Sequence, residues 1–238
     1  YAFAEAIRHL TQTEVEKIAF LEGHGELGER YVYDITHALA QYYQVDRGVL
    51  GTESGVLDGY KAVIIADPQQ PFSESDKYIL DQYVMQGGRI LWVVNGVRFS
   101  EDFLSSQGAT PIIALELNIN DLLFRYGIRI NHALVQDLQC MPVPVDVSSN
   151  SSEPNWQPMP WTYAPLLLTS QASSITRNVA QVSATMASAV DIVGEEDGLR
   201  KEVLLATSTA SKLTAVPARV DLSLGVDDEQ SFQHAFIP

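Results

Sequence analysis

His24 stands between Gly23 and Gly25, with Glu22 and Glu26 two residues to either side, directly after the apolar run Ile18 to Leu21. An imidazole titrates near neutral pH, so here it could act as a general base or donate to a bound oxygen. The glycines permit close approach of a ligand to the backbone, and either glutamate could orient the ring. The competing reading is a histidine that hydrogen-bonds its own loop beside solvated carboxylates. Spacing does not decide the chemistry. Gly23, Gly25 and Gly28 do not follow the dinucleotide pattern, and no Gly-Lys-Ser/Thr phosphate loop occurs, so neither a nucleotide nor any other cofactor is expected.

Other chemistries find less support. His9, His24, His37, His132 and His234 are scattered without a His-Glu-x-x-His spacing, so no metal site is expected. A Gly-x-Ser-x-Gly elbow for a serine hydrolase is missing from the sequence. Cys140 precedes Met141-Pro142 in an extended stretch and reads as a structural thiol; as a lone cysteine it allows no internal disulfide. Trp156, Trp161 and Tyr163 could stack on a sugar, but packing is the favoured reading.

The elements that would position His24 follow from periodicity. Ile18 to Leu21 reads as a strand, Tyr31 to Tyr43 as a helix, Val45 to Leu50 as a second strand and Ala62 to Ala66 as a buried third. Asp67-Pro68 marks a turn. Ser73 and Asp76 resemble a capping box that opens a helix closing at Gly87-Gly88, before a fourth strand over Arg89 to Val94. Strands alternating with helices call for a doubly wound parallel sheet, and the flavodoxin-like order 2-1-3-4 is the simplest arrangement. Its switch point falls between strands one and three. There the loop 23–29, the loop 67–72 and Asn95 would line a crevice, which makes Gly23, His24, Gly25, Glu26, Asp67 and Asn95 the candidate ligand-binding residues.

Beyond this core, Asn120 should cap a short helix stopped by Gly127, with Ile128 to Ile130 and Leu134 to Val145 extended. Residues 148–160, rich in Ser, Asn and Pro, read as a long surface loop. Residues 187–193, 201–208 and 219–224 read as further strands. The expected organisation is an N-terminal helical segment over 1–14, an α/β core over 15–131, and a β-rich extension over 132–238 that completes the same domain.

The chain has 238 residues, 46% of them hydrophobic, enough for a large core. Fifteen Lys and Arg oppose thirty Asp and Glu, a formal charge of -15 that repels phosphate backbones and anionic lipid. Nucleic acid is therefore not an expected partner. No stretch reaches the roughly 18 apolar residues that span a bilayer. The start at Tyr1 and the end after Ala-Phe-Ile-Pro suggest a piece of a longer protein, whose anchors would lie elsewhere.

FLEGHGEL at 20–27, PFSESDKYILDQYVMQGGRILWVV at 71–94, LNINDLLFRYGIRIN at 117–131 and LVQDLQC at 134–140 together resemble the gliding-motility ABC-transporter auxiliary family, the GldG-like proteins. The resemblance implies an extracytoplasmic, periplasmic domain, membrane-anchored in the full-length protein, beside a permease and a cytoplasmic ATPase. The family core is also similar to the class I glutamine amidotransferase-like fold, whose enzymes carry a nucleophilic Cys after the third strand. Here that position reads Ala66-Asp67-Pro68, so the central group of such a reaction is missing. The expectation is a non-enzymatic auxiliary or substrate-binding component serving gliding motility or export. The alternatives are a module binding a small carbohydrate-like ligand through His24, Glu26, Asp67 and Asn95, a degenerate amidotransferase-like enzyme, or a hydrolase using His24 with an acidic partner.

Overall fold

The computed structural model describes Phe3 and residues 15–53, 55–148, 154–194 and 198–222. The helical segment expected over 1–14 lies outside the described residues except for Phe3, which is exposed. Contacts divide the chain into two compact units, Tyr1–Val94 with Glu116–Leu122, and Asn95–Leu115 with Leu123–Pro238. The sequence reading drew its line after residue 131. In the structure, 95–115 and 123–131 go with the second unit, where their strands pair with strands much further along the chain.

The first unit runs β1 (Lys17–Glu22), a 3-10 turn (Glu29–Val32), α1 (Tyr33–Ala40), β2 (Gln44–Val49), β3 (Tyr60–Ala66), α2 (Glu74–Met85) and β4 (Ile90–Val93). Its sheet is parallel in the order β2-β1-β3-β4, the order expected from the alternation of strands and helices. One face packs Ile18, Phe20, Ile64 and Ala66 against Val32, Leu39 and Tyr43 from the α1 region. Val63 and Ile65 alternate to the opposite face and are fully buried. Burial on both faces explains why β3 is a continuous apolar run; each such side chain contributes roughly 1.5–3 kcal/mol.

The expected capping box opens α2. Ser73 Oγ accepts from the Asp76 N–H at 3.1 Å, and Asp76 Oδ2 accepts from the Ser73 N–H at 3.0 Å. Gly87, at φ 93°, ends the helix in a left-handed conformation. Gly88 lies flat against the Tyr83 ring, leaving no room for a Cβ, and the Tyr83 hydroxyl donates to Tyr60 O at 3.0 Å. Residues 116–122 also belong here, since the Phe72 N–H donates to Leu117 O at 2.9 Å.

The second unit holds β5 (Val97–Arg98), α3 (Glu101–Gln107), β6 (Ala109–Ala114), β7 (Ile128–Asp137), β8 (Cys140–Asp146), β9 (Trp156–Thr169), β10 (Gln181–Ser183), β11 (Ser188–Ile192), β12 (Leu205–Ala206), β13 (Ser211–Ala215) and β14 (Ala218–Asp221). The division between units falls inside α4 (Asn120–Arg125). Antiparallel pairing gives the orders β10-β9-β12 with β8 on β9, β11-β7-β13, and β14-β6-β5. Val97, Ile112, Leu134, Trp161, Met186 and Val220 form the core. Trp161 is buried within it, and its indole N–H donates to Asp221 O at 3.1 Å; Trp156 remains exposed.

Two expectations change. The loop read over 148–160 is strand from Trp156 onward, and Val147 N–H donates to Asn155 O at 2.9 Å. Pro142 pairs with Pro160 and Pro144 with Pro158, at alternate positions whose N atoms face away from the partner strand, so proline costs this ladder no hydrogen bond. The strand read over 201–208 shrinks to Leu205–Ala206, because 199–204 crosses as an irregular strap held by backbone bonds such as Ser170 N–H to Leu204 O at 2.9 Å.

Candidate functional site

β1 ends at Glu22, and the chain turns through Gly23 at φ 112° and Gly25 at φ 76°, both in the left-handed region where a side chain is strained. That turn carries His24 inward, 7% exposed. Its Nδ1 lies 3.1 Å from Glu26 Oε1 and its Nε2 lies 3.3 Å from Asp76 Oδ2. Its backbone N–H donates to Glu26 Oε2 at 2.7 Å. The ring stacks on Phe72, centroids 3.8 Å apart and 12° from parallel, and Phe72 meets Trp92 edge-on at 5.8 Å.

The two loops at the switch point are bonded directly to each other. His24 O accepts from the N–H groups of Gln69 and Gln70, both at 2.8 Å, and Leu27 N–H donates to Ala66 O at 2.9 Å. A Cβ on Gly25 would lie 3.2 Å from Gln69 Cβ, so the loops touch where the sequence reading placed a crevice.

Electrostatics follow from this enclosure. Burial alone disfavours charged His24, but the hydrogen bonds and charges of Glu26 and Asp76 outweigh it and raise its pKa. Burial likewise works against ionised Glu26 and Asp76, yet the hydrogen bonds they accept, from His24 and from the backbone or Ser73, leave both pKa values lowered. A doubly protonated ring donates to both carboxylates, whereas a neutral ring would set a lone pair against a carboxylate oxygen. The charged form therefore fits, and a ring with both nitrogens donating has no lone pair left for general-base chemistry or for a metal.

The remaining sequence candidates separate. Asp67 holds φ 52°, and its N–H donates to Val93 O at 2.7 Å, which seats it at the end of β3. Asn95 belongs to the second unit. There its amide donates to Met186 O at 2.8 Å and its Oδ1 accepts from Ser188 Oγ at 2.5 Å. Glu22 pairs with Arg47 at 2.8 Å. Cys140 is half-buried, and burial raises its thiol pKa. Among the described residues, no group of three or more His, Cys, Asp or Glu is arranged to hold a metal, and no helix is long and apolar enough to cross a membrane.

Sequence reasoning missed Asp76 and Phe72 as partners of His24, because they lie 52 and 48 residues away. It also missed Lys77. This buried ammonium is 2.7 Å from Glu74 and 3.0 Å from Asp121, fastening residues 116–122 to the start of α2. The available signal was position: Asp76 and Lys77 are neighbours in the first helical turn, aimed at two different segments.

The first unit is thus a parallel sheet whose loops after β1 and β3 are joined to each other through a buried histidine. The chain belongs to the ABC-transporter auxiliary family, described as an ABC-type uncharacterized transport system, whose profile matches residues 16–238. It is thus an auxiliary component of an ABC-type transport system. No curated protein matches the chain. Among solved structures it is similar to the mmIFT52 N-terminal domain, with TM-score 0.55 and 19% identity over 82% of this chain and 74% of that one, a likeness of fold alone.

Proposed function

We propose that this is a non-enzymatic, GldG-like auxiliary domain on the extracytoplasmic side of a bacterial inner membrane, serving gliding motility or export. It acts by docking on the transporter's permease, while a separate cytoplasmic ATPase supplies the energy. The observation that carries this reading is the engagement of both His24 nitrogens by Glu26 and Asp76 between loops already bonded to each other. At this position amidotransferase-like enzymes of similar architecture keep a reactive group exposed; here the chain has Ala66-Asp67-Pro68 and a closed loop pair. We assign the first unit a flavodoxin-like arrangement of the class I glutamine amidotransferase-like type on its strand order.

A small carbohydrate-like ligand at Gly23, His24, Gly25, Glu26, Asp67 and Asn95 draws less support, because His24, Glu26 and Asn95 already spend their polar atoms within the fold.

The test is chemical cross-linking of the full-length protein in intact cells, followed by capture and mass spectrometry. An ABC permease cross-linked to lysines of this domain is expected, together with cleavage of the domain by protease added from outside the inner membrane. A domain protected from that protease, or capture without any permease, would sink the proposal.

A further inference from the structure

We propose that the second unit carries a pocket for a singly charged amphipathic carboxylate, a site beyond the transporter reading and independent of it. The cavity measures about 340 Å3, at the lower end of the range of small-molecule sites. Its wall is apolar. Ile192 and Ile128 are cross-strand partners on β11 and β7, Val190 shares their face by the two-residue period of a strand, and Leu205 closes the other side. All four keep more than a third of their surface exposed, Ile192 as much as 52%, in a unit that buries comparable residues completely elsewhere.

The charged residues of the lining are two cations and one anion. Arg200 and Lys201 are adjacent there, against Glu202, although the chain as a whole carries a formal charge of -15. Lys201 Nζ donates to Val193 O at 2.6 Å and to Gly194 O, which latches the strap 199–204 over the cavity and leaves its charge at the rim. The Arg200 side chain is 91% exposed and 3.5 Å from Glu202, an exposed pairing that contributes little and that a carboxylate can replace with two-pronged geometry. The apolar wall selects a hydrocarbon chain. The single surplus positive charge of the lining and the chain's formal charge of -15 disfavour multiply charged anions, which favours a monocarboxylate.

The experiment titrates the 238-residue chain, methyl-labelled for NMR, with decanoate below its micelle concentration, and in parallel with decyltrimethylammonium. Saturable shifts are expected at Ile128, Val190, Ile192 and Leu205 with decanoate alone. In Arg200→Glu the dissociation constant should rise about tenfold or more, the size expected for one charged hydrogen bond. Val190→Asp, at a half-exposed position that tolerates it, should abolish the shifts without changing the rest of the spectrum. Absence of saturable shifts, equal binding of the cation, or undiminished affinity in Arg200→Glu would each overturn the proposal.

Discussion

Asp76 caps its own helix and grips His24 with the same atom: Oδ2 accepts from the Ser73 N–H at 3.0 Å and from Ser73 Oγ at 2.6 Å, and lies 3.3 Å from His24 Nε2. The helix start and the β1 loop are therefore one electrostatic unit. Lys77, the next residue, binds Asp121 and draws a third segment into it.

Removing the ring from this unit should be costly. His24→Ala leaves Glu26 buried without its cation and strips Phe72 of its stacking partner. A loss of about 3 kcal/mol is expected, as for other buried pairs broken on one side. Urea denaturation checks it, and a loss below about 1 kcal/mol would show that the clamp is incidental.

The clamp should also have a pH window. His24, with its pKa raised above 6.5, contributes fully below that value, and its contribution fades as pH rises through the raised pKa. Glu26 and Asp76, lowered from 4.5 and 3.8, contribute fully above those values and fade as pH falls through the lowered ones. The stability gap between wild type and His24→Gln is thus largest between roughly pH 4.5 and 6.5 and narrows on both sides. Melting curves across pH 3 to 10 would read it; a gap that stays constant to the alkaline end contradicts a charged ring.

Much of the first unit was legible because its signals are local. Continuous apolar runs gave the parallel strands, and Ser73 with Asp76 marked the helix start. His24 to Asp76 was not legible, since the tertiary bond joins residues 52 apart and each partner had a sufficient local explanation. Trp156 to Pro160 was misread for a different reason. Proline and serine content suggests a loop, but the register places each proline where a strand needs no N–H donor. Asn95 looked like a lip of the crevice from its place after β4, whereas its partners, Met186 and Ser188, come from far along the chain.

Two glycines should behave oppositely. Gly88→Ala drives a methyl into the Tyr83 ring and breaks the Tyr83 bond to Tyr60 O, at a cost of about 1–3 kcal/mol. Gly28, at φ -64° with nothing within 4 Å, should accept Ala with little change. Paired thermal melts distinguish them, and equal midpoints would contradict the packing described for α2.

The two tryptophans of β9 differ likewise. Trp161→Ala empties the core of the second unit, with an expected loss of about 3–5 kcal/mol, while Trp156→Ala at 62% exposure should stay within about 0.5 kcal/mol. Guanidinium unfolding of both variants is the measurement, and a large loss at Trp156 would mean that the ribbon packs against something within the chain.

His24 is spent on the fold rather than free for chemistry, and nitrogen-15 NMR of the imidazole tests this most directly. The engaged ring should titrate with a midpoint above 6.5, with both ring nitrogens protonated and in slow proton exchange below that midpoint. A midpoint at or below 6.5, with one ring nitrogen unprotonated and exchanging freely just below that pH, would contradict this and would return His24 to the candidates for a catalytic base.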